Sequence, residues 1–171
     1  MTSAEPQRAP QPSARFFVAS DELENPVLRD GVAYWHGLKA GRKLPAPSDL
    51  SPREMASLLR HIVLLRVLDG GRDYEYRIAG DAHVEAYGHH LRGTRISECT
   101  EPSPDLGKAM HGLYEHVRTT AQPFALRGSV GRNNRDFRFV YFESALLPLG
   151  EDGETVDHIL IVSIYVPRLA A

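Results

Sequence analysis

Ile62-Val63-Leu64-Leu65-Arg66-Val67-Leu68, then Asp69-Gly70-Gly71-Arg72, then Asp73-Tyr74-Glu75-Tyr76-Arg77-Ile78-Ala79, is the stretch whose reading decides the fold. The first segment is an apolar run with β-branched residues, and the last alternates strictly, so a turn at Asp69–Arg72 joins two strands into a hairpin. In the second strand Tyr74, Tyr76 and Ile78 share one face, and Asp73, Glu75 and Arg77 share the other. Directly after Ala79 the chain turns into a short helical segment at Gly80-Asp81.

On the N-terminal side of the hairpin, residues Met1 to about Arg15 read as a Pro-rich, solvated tail. Asn25-Pro26 then spells a helix cap with proline in the first turn. Leu28, Val32, Trp35 and Leu38 recur at helical spacing until Gly41 stops them. Ser51-Pro52-Arg53-Glu54 has the form of a capping box, with Leu50 and Met55 placed as a hydrophobic staple. A second helix is expected there, with Met55, Leu58 and Leu59 pointing inward.

On the C-terminal side, Asp81 is placed to cap a short helix carrying Val84 and Tyr87, ended by Gly88. A loop with one helical turn covers His89–Thr100. Ser103-Pro104-Asp105 starts a longer helix whose face is Leu106, Met110, Leu113, Tyr114 and Val117, and Pro123 ends it. Three strands follow at about Phe124–Val130, Phe137–Leu147 and Val156–Val166, separated by turns at Gly131–Arg135 and Gly150–Gly153. The last strand is apolar on both faces, so both sides of the sheet need cover. The Leu106–Val117 helix and the short helices suit one face. The Trp35 helix, or a second subunit, must supply the other.

Composition narrows the function classes. The chain has 171 residues, 42% of them hydrophobic, which suits one domain with tails. A net charge of −2 gives no electrostatic reason to expect nucleic acid or an anionic membrane. The single cysteine, Cys99, excludes an internal disulfide and a multi-cysteine metal site. No apolar run is long enough to span a bilayer, and no signal-peptide core precedes the tail. A cytoplasmic protein is the expectation.

A hairpin, small helices and three further strands is the order of a sensory domain rather than of a nucleotide enzyme. Tyr34-Trp35, Gly41-Arg42-Lys43-Leu44-Pro45, Asp49-Leu50-Ser51-Pro52, Tyr76-Arg77-Ile78-Ala79-Gly80, Tyr87-Gly88 and Leu91-Arg92-Gly93-Thr94 together resemble the bacterial standalone PAS-type domains of the PAS_5 class. Glu143–Pro148 and the strand after it resemble the end of such a domain, so the resemblance runs from about Val27 to Pro167. It implies an α+β fold: a PAS-like five-stranded antiparallel sheet with helices over one face, here with an N-terminal helical extension. The expected organisation is a disordered tail at 1–15, the helical extension at 16–61 and the PAS-like domain at 62–168. The resemblance further implies a non-catalytic module that binds a small ligand or a protein partner and passes on a conformational bias.

Flavin-binding light sensors of similar fold carry a reactive thiol in a segment that here reads Gly93-Thr94-Arg95-Ile96-Ser97-Glu98-Cys99. Ile96 stands where that thiol belongs, and Cys99 falls three residues late, so Cys99 reads as a bystander. Haem sensors of similar fold take a histidine from the long helix. His111 and His116 lie off its apolar face and are expected to face solvent. His83, His89 and His90 stand near the expected pocket without carboxylates or thiols at metal-ligand spacing. Arg127, Arg132, Arg135 and Arg138 gather at one hairpin and read as a solvated edge or a contact for an acidic surface.

The aromatic residues make the better site candidate. Val140, Phe142 and Ser144 share a face, which, if it points inward, meets Tyr74, Tyr76 and Phe124. Met110, Leu113 and Tyr114 would approach from the long helix, and Tyr87 from the short one. Together these residues suit either a small-molecule pocket with hydroxyl handles or plain core. No residue pattern names a cofactor. The leading reading is a sensory PAS-like domain that signals through a protein partner or a homodimer. The alternatives are a ligand-free dimerisation or adaptor module and, third, a small α+β enzyme, for which no nucleophile elbow or phosphate-cradling loop is present.

Overall fold

The computed structural model describes residues 14–17 (backbone only), 22–101, 103–130 and 135–169. The expected tail up to residue 13 and the turn at 131–134, Arg132 included, lie outside the described residues. The elements are β1 (Ala14–Phe17), α1 (Pro26–Lys39), β2 (Ile62–Leu68), β3 (Asp73–Ala79), α2 (Asp81–Tyr87), α3 (Leu106–Thr120), β4 (Phe124–Ser129), β5 (Phe139–Leu149) and β6 (His158–Pro167). All neighbouring strands pair antiparallel, in the order β1-β4-β5-β6-β2-β3. The five expected strands are therefore present. Ala14–Phe17, which spans the boundary drawn at residue 15, adds a further strand on the β4 edge.

The hairpin forms with one irregularity. Leu65 pairs with Tyr76 but Leu64 pairs with Ile78, so Arg77 is an extra residue in a β-bulge. The bulge inverts the alternation. Tyr74 and Tyr76 are buried, whereas Ile78, expected on the same face, is 49% exposed. The outer edge of β3 is covered by the following loop: the Tyr76 amide donates to the Thr94 carbonyl at 3.0 Å, and Glu75 bridges Arg95.

Helix α1 starts as its sequence spells. The Asn25 side chain accepts from the Val27 amide at 2.9 Å, and the helix ends at left-handed Ala40 and Gly41. Leu28, Gly31, Val32 and Trp35 face the sheet. A Cβ on Gly31 would stand 2.7 Å from Val162 Cγ2, so α1 lies directly against β6. The buried Trp35 indole donates to the Pro148 carbonyl at 2.8 Å. This helix supplies the cover that the second sheet face requires. Helices α2 and α3 cover the first.

The helix expected at 51–60 does not form. Residues 52–58 make successive turns, followed by a 3₁₀ turn at Leu59–His61. Ser51 Oγ does accept from the Glu54 amide at 3.4 Å. The Ser51 amide, which the Glu54 carboxylate would have capped, donates instead to the Tyr34 hydroxyl at 3.0 Å. Met55 and Leu58 are buried as expected, but Leu59 is 43% exposed. At α2 the cap position is Gly80 rather than Asp81, which sits in the first turn. β5 and β6 each start two residues later than expected.

Candidate functional site

Register fixes which side chains face α2 and α3. Phe142 pairs with Tyr165 and Ser144 with Ser163 across β5 and β6, while Val67 pairs with Tyr74 and Leu65 with Tyr76 across β2 and β3. Ser144 and Ser163 are buried, with their hydroxyl oxygens 2.7 Å apart. Above them α2 brings in His83 and Tyr87 one helical turn apart, and α3 brings in the buried Tyr114.

His83 is the centre of this arrangement. It is 6% exposed, and its Nδ1 lies 2.6 Å from the Tyr165 hydroxyl. Its ring stands 4.7 Å from Tyr87, 5.6 Å from Tyr165 and 5.9 Å from Tyr76, centre to centre. Its Nε2 is buried and has no hydrogen-bond partner among the described residues. The Tyr165 hydroxyl also interacts with Ser163 and Tyr87, and Tyr76 with Tyr114. A chain of hydroxyls therefore runs from Ser144 through Ser163 and Tyr165 to Tyr87.

These groups are held neutral. Burial pulls the His83 imidazole down to about 3, with His89 adding to the effect. Burial pushes the Tyr87 phenol up to about 12, and raises Tyr76, Tyr114 and Tyr165 well above the usual phenol range. An uncharged imidazole among uncharged phenols offers hydrogen bonds and aromatic surface.

The sequence candidates divide into two groups. Tyr76, Tyr87, Tyr114 and Ser144 come together around His83. Phe142 lies beside them, against Phe139, on the strand that carries Ser144. Tyr74 points elsewhere: its hydroxyl donates to Glu115, which also takes two hydrogen bonds from Arg118. Met110, Leu113 and Phe124 pack at the margin of the main core, with Phe124 against His116 at 5.0 Å. Ser163 and Tyr165, which join this arrangement, are not among the sequence candidates, and His83 was placed near the expected pocket only as an imidazole without metal-ligand spacing. The odd-numbered face of β6, with Ile159, Ile161, Ser163 and Tyr165, was the available signal.

Other chemistry candidates find structural explanations. His111, expected to face solvent, is half-buried, and its Nε2 donates to the Gly71 carbonyl at 2.9 Å. His116, His89 and His90 are exposed. No cluster of three or more histidine, cysteine, aspartate or glutamate side chains is arranged to hold a metal among the described residues. Burial, together with Glu98 and Asp73, pushes the Cys99 thiol up, opposite to an activated cysteine. Arg127 is not at a free edge, since it pairs with Glu24. No helix among the described residues is long and apolar enough to cross a membrane.

Comparison with known proteins agrees with this architecture. The profile of the PAS domain family matches residues 23–163, from just before α1 into β6. No curated protein gives a match to the chain. A match over most of the chain, on a sheet flanked by small helices, establishes that this protein belongs to the PAS domain family.

Proposed function

We propose that this PAS domain is a non-catalytic sensory module that takes a small neutral molecule against His83 and signals by changing its association with a protein partner or a second copy. The unpartnered Nε2 of His83 carries this reading. A buried polar group left without a hydrogen bond costs roughly 1–3 kcal/mol, and a ligand with a hydroxyl, carbonyl or amide group would recover that cost. Tyr76, Tyr87 and Tyr114 add aromatic walls and further hydroxyls. Helices α2 and α3 both contribute to the site, so occupancy would bias their positions on the sheet. One cysteine and a modest charge suit a cytoplasmic setting.

Native mass spectrometry of the purified protein, repeated after denaturation, tests the proposal. An excess mass released on denaturation, and absent from His83→Leu, is the expected result. A bare mass that stays bare after incubation with cell extract overturns ligand binding and leaves a ligand-free association module.

A further inference from the structure

An open cleft of about 410 Å³ lies where the β2–β3 turn, the 3₁₀ turn at Ile96–Glu98 and the first turns of α3 meet. That size suits a small metabolite. Arg72 reaches the cleft from the hairpin turn, and Lys108 and His111 reach it from α3; Ser97 and Thr100 add hydroxyls. No carboxylate is among the described residues that line it. Neither Arg72 nor Lys108 forms an ion pair among the described residues. The nearby Asp73 carboxylate is already engaged, accepting from the Ser97 amide and hydroxyl.

Backbone contacts hold together the elements around the cleft. The Gly107 amide donates to the Cys99 carbonyl at 3.2 Å, and a Cβ at Gly107 would stand 2.8 Å from that oxygen. The start of α3 is therefore seated on the 3₁₀ turn, with Ile96 buried beneath. The bond from His111 to the Gly71 carbonyl joins α3 to the turn that carries Arg72. Two basic residues that form no ion pair among the described residues thus line one cavity from two elements already held together.

We propose that this cleft binds a small molecule bearing an oxyanion, a phosphate or a carboxylate, held between the Arg72 guanidinium and the Lys108 ammonium. Guanidinium offers a planar fork to either group, and the ammonium adds a point charge. The anion ties the β2–β3 turn to α3 and restrains the helix that also carries Tyr114. The site is separate from His83 and stands whether or not the neutral site is occupied.

The test is a backbone-amide NMR titration of the full chain with inorganic phosphate, and separately with malonate, at ionic strength held constant with chloride. Saturating shifts at the Arg72, Gly107 and Lys108 amides are expected from at least one of the two anions, and the tighter one identifies the class. Arg72→Gln and Lys108→Gln should each weaken binding tenfold or more, while the exposed Arg53→Gln leaves it unchanged. Both substituted side chains are exposed, and the spectra themselves report whether the variants keep the fold. Shifts that do not saturate, that centre on Ser163 and Tyr165, or that persist in both variants overturn the proposal.

Discussion

The imidazole of His83 and the hydroxyl of Tyr165, 82 residues apart in sequence, meet at 2.6 Å beneath α2. One ring nitrogen is thereby satisfied and the other is left buried without a partner. Tyr165→Phe would remove the first bond and leave both nitrogens unpaired. It should lower unfolding stability by about 1–3 kcal/mol in urea denaturation. His83→Leu, which removes both nitrogens while keeping the volume apolar, should cost less than Tyr165→Phe. The opposite ranking would contradict an unsatisfied Nε2.

Trp35 is tied to the sheet by its indole bond to Pro148 and is 1% exposed. Trp35→Phe keeps an aromatic ring but leaves the carbonyl unpaired beside a cavity. A loss of roughly 2–4 kcal/mol is expected from these two terms together. Equilibrium urea unfolding with an unchanged denaturant slope is the check, since a changed slope would mean that α1 had detached.

Gly71 combines a φ of +97° with a site where any Cβ would run into Glu115 and Arg118. Gly70 also has a positive φ, +67°, but opens onto free space. Gly70→Ala should therefore cost about 1 kcal/mol from backbone strain alone. Gly71→Ala should cost distinctly more and shift the amide resonances of Glu115 and Arg118. Equal costs at the two positions would remove the contact from the explanation.

Glu115 contributes to the acid limb of stability. Hydrogen bonds from Arg118, then from Tyr74, hold its carboxyl at about 2, below its ordinary value of 4.5. A depressed folded-state value means that the carboxylate's stabilisation is complete above about pH 4.5. It is lost as pH falls toward 2. With screening of this partly exposed pair, the contribution is on the order of 1–2 kcal/mol. Glu115→Gln should flatten the stability profile across that window while leaving the profile above pH 5 parallel to that of the parent.

Much of the fold could be read from periodicity, because the elements that carry it are long or strictly alternating. Leu28, Val32 and Trp35 predicted α1, and Leu106–Val117 predicted α3. The failures were of a different kind. The bulge at Arg77 depends on what β2 places opposite it, and no property of Tyr76-Arg77-Ile78 alone announces it. The capping box at Ser51 was spelled correctly, yet a tyrosine from α1 took the donor that the glutamate should have capped. β1 is too short for alternation to register. At the site, Tyr76, Tyr87, Tyr114 and Ser144 were legible as inward-facing polar residues. His83 was legible only as an imidazole near the expected pocket, because a single residue on a two-turn helix has no period to set its direction. The ring's one hydrogen bond among the described residues is to Tyr165, and that pairing is long-range.

Val162 and Ser163 are consecutive residues of β6 that face opposite ways. Val162 presses on Gly31 of α1, and Ser163 shares its hydroxyl contact with Ser144 on the side of His83. The partition between the two compartments is therefore one peptide thick. A Cβ at Gly31 would stand 2.7 Å from Val162 Cγ2, so α1 rests directly on β6 at this point. Widening that contact by a single methyl group would act as a wedge between sheet and helix.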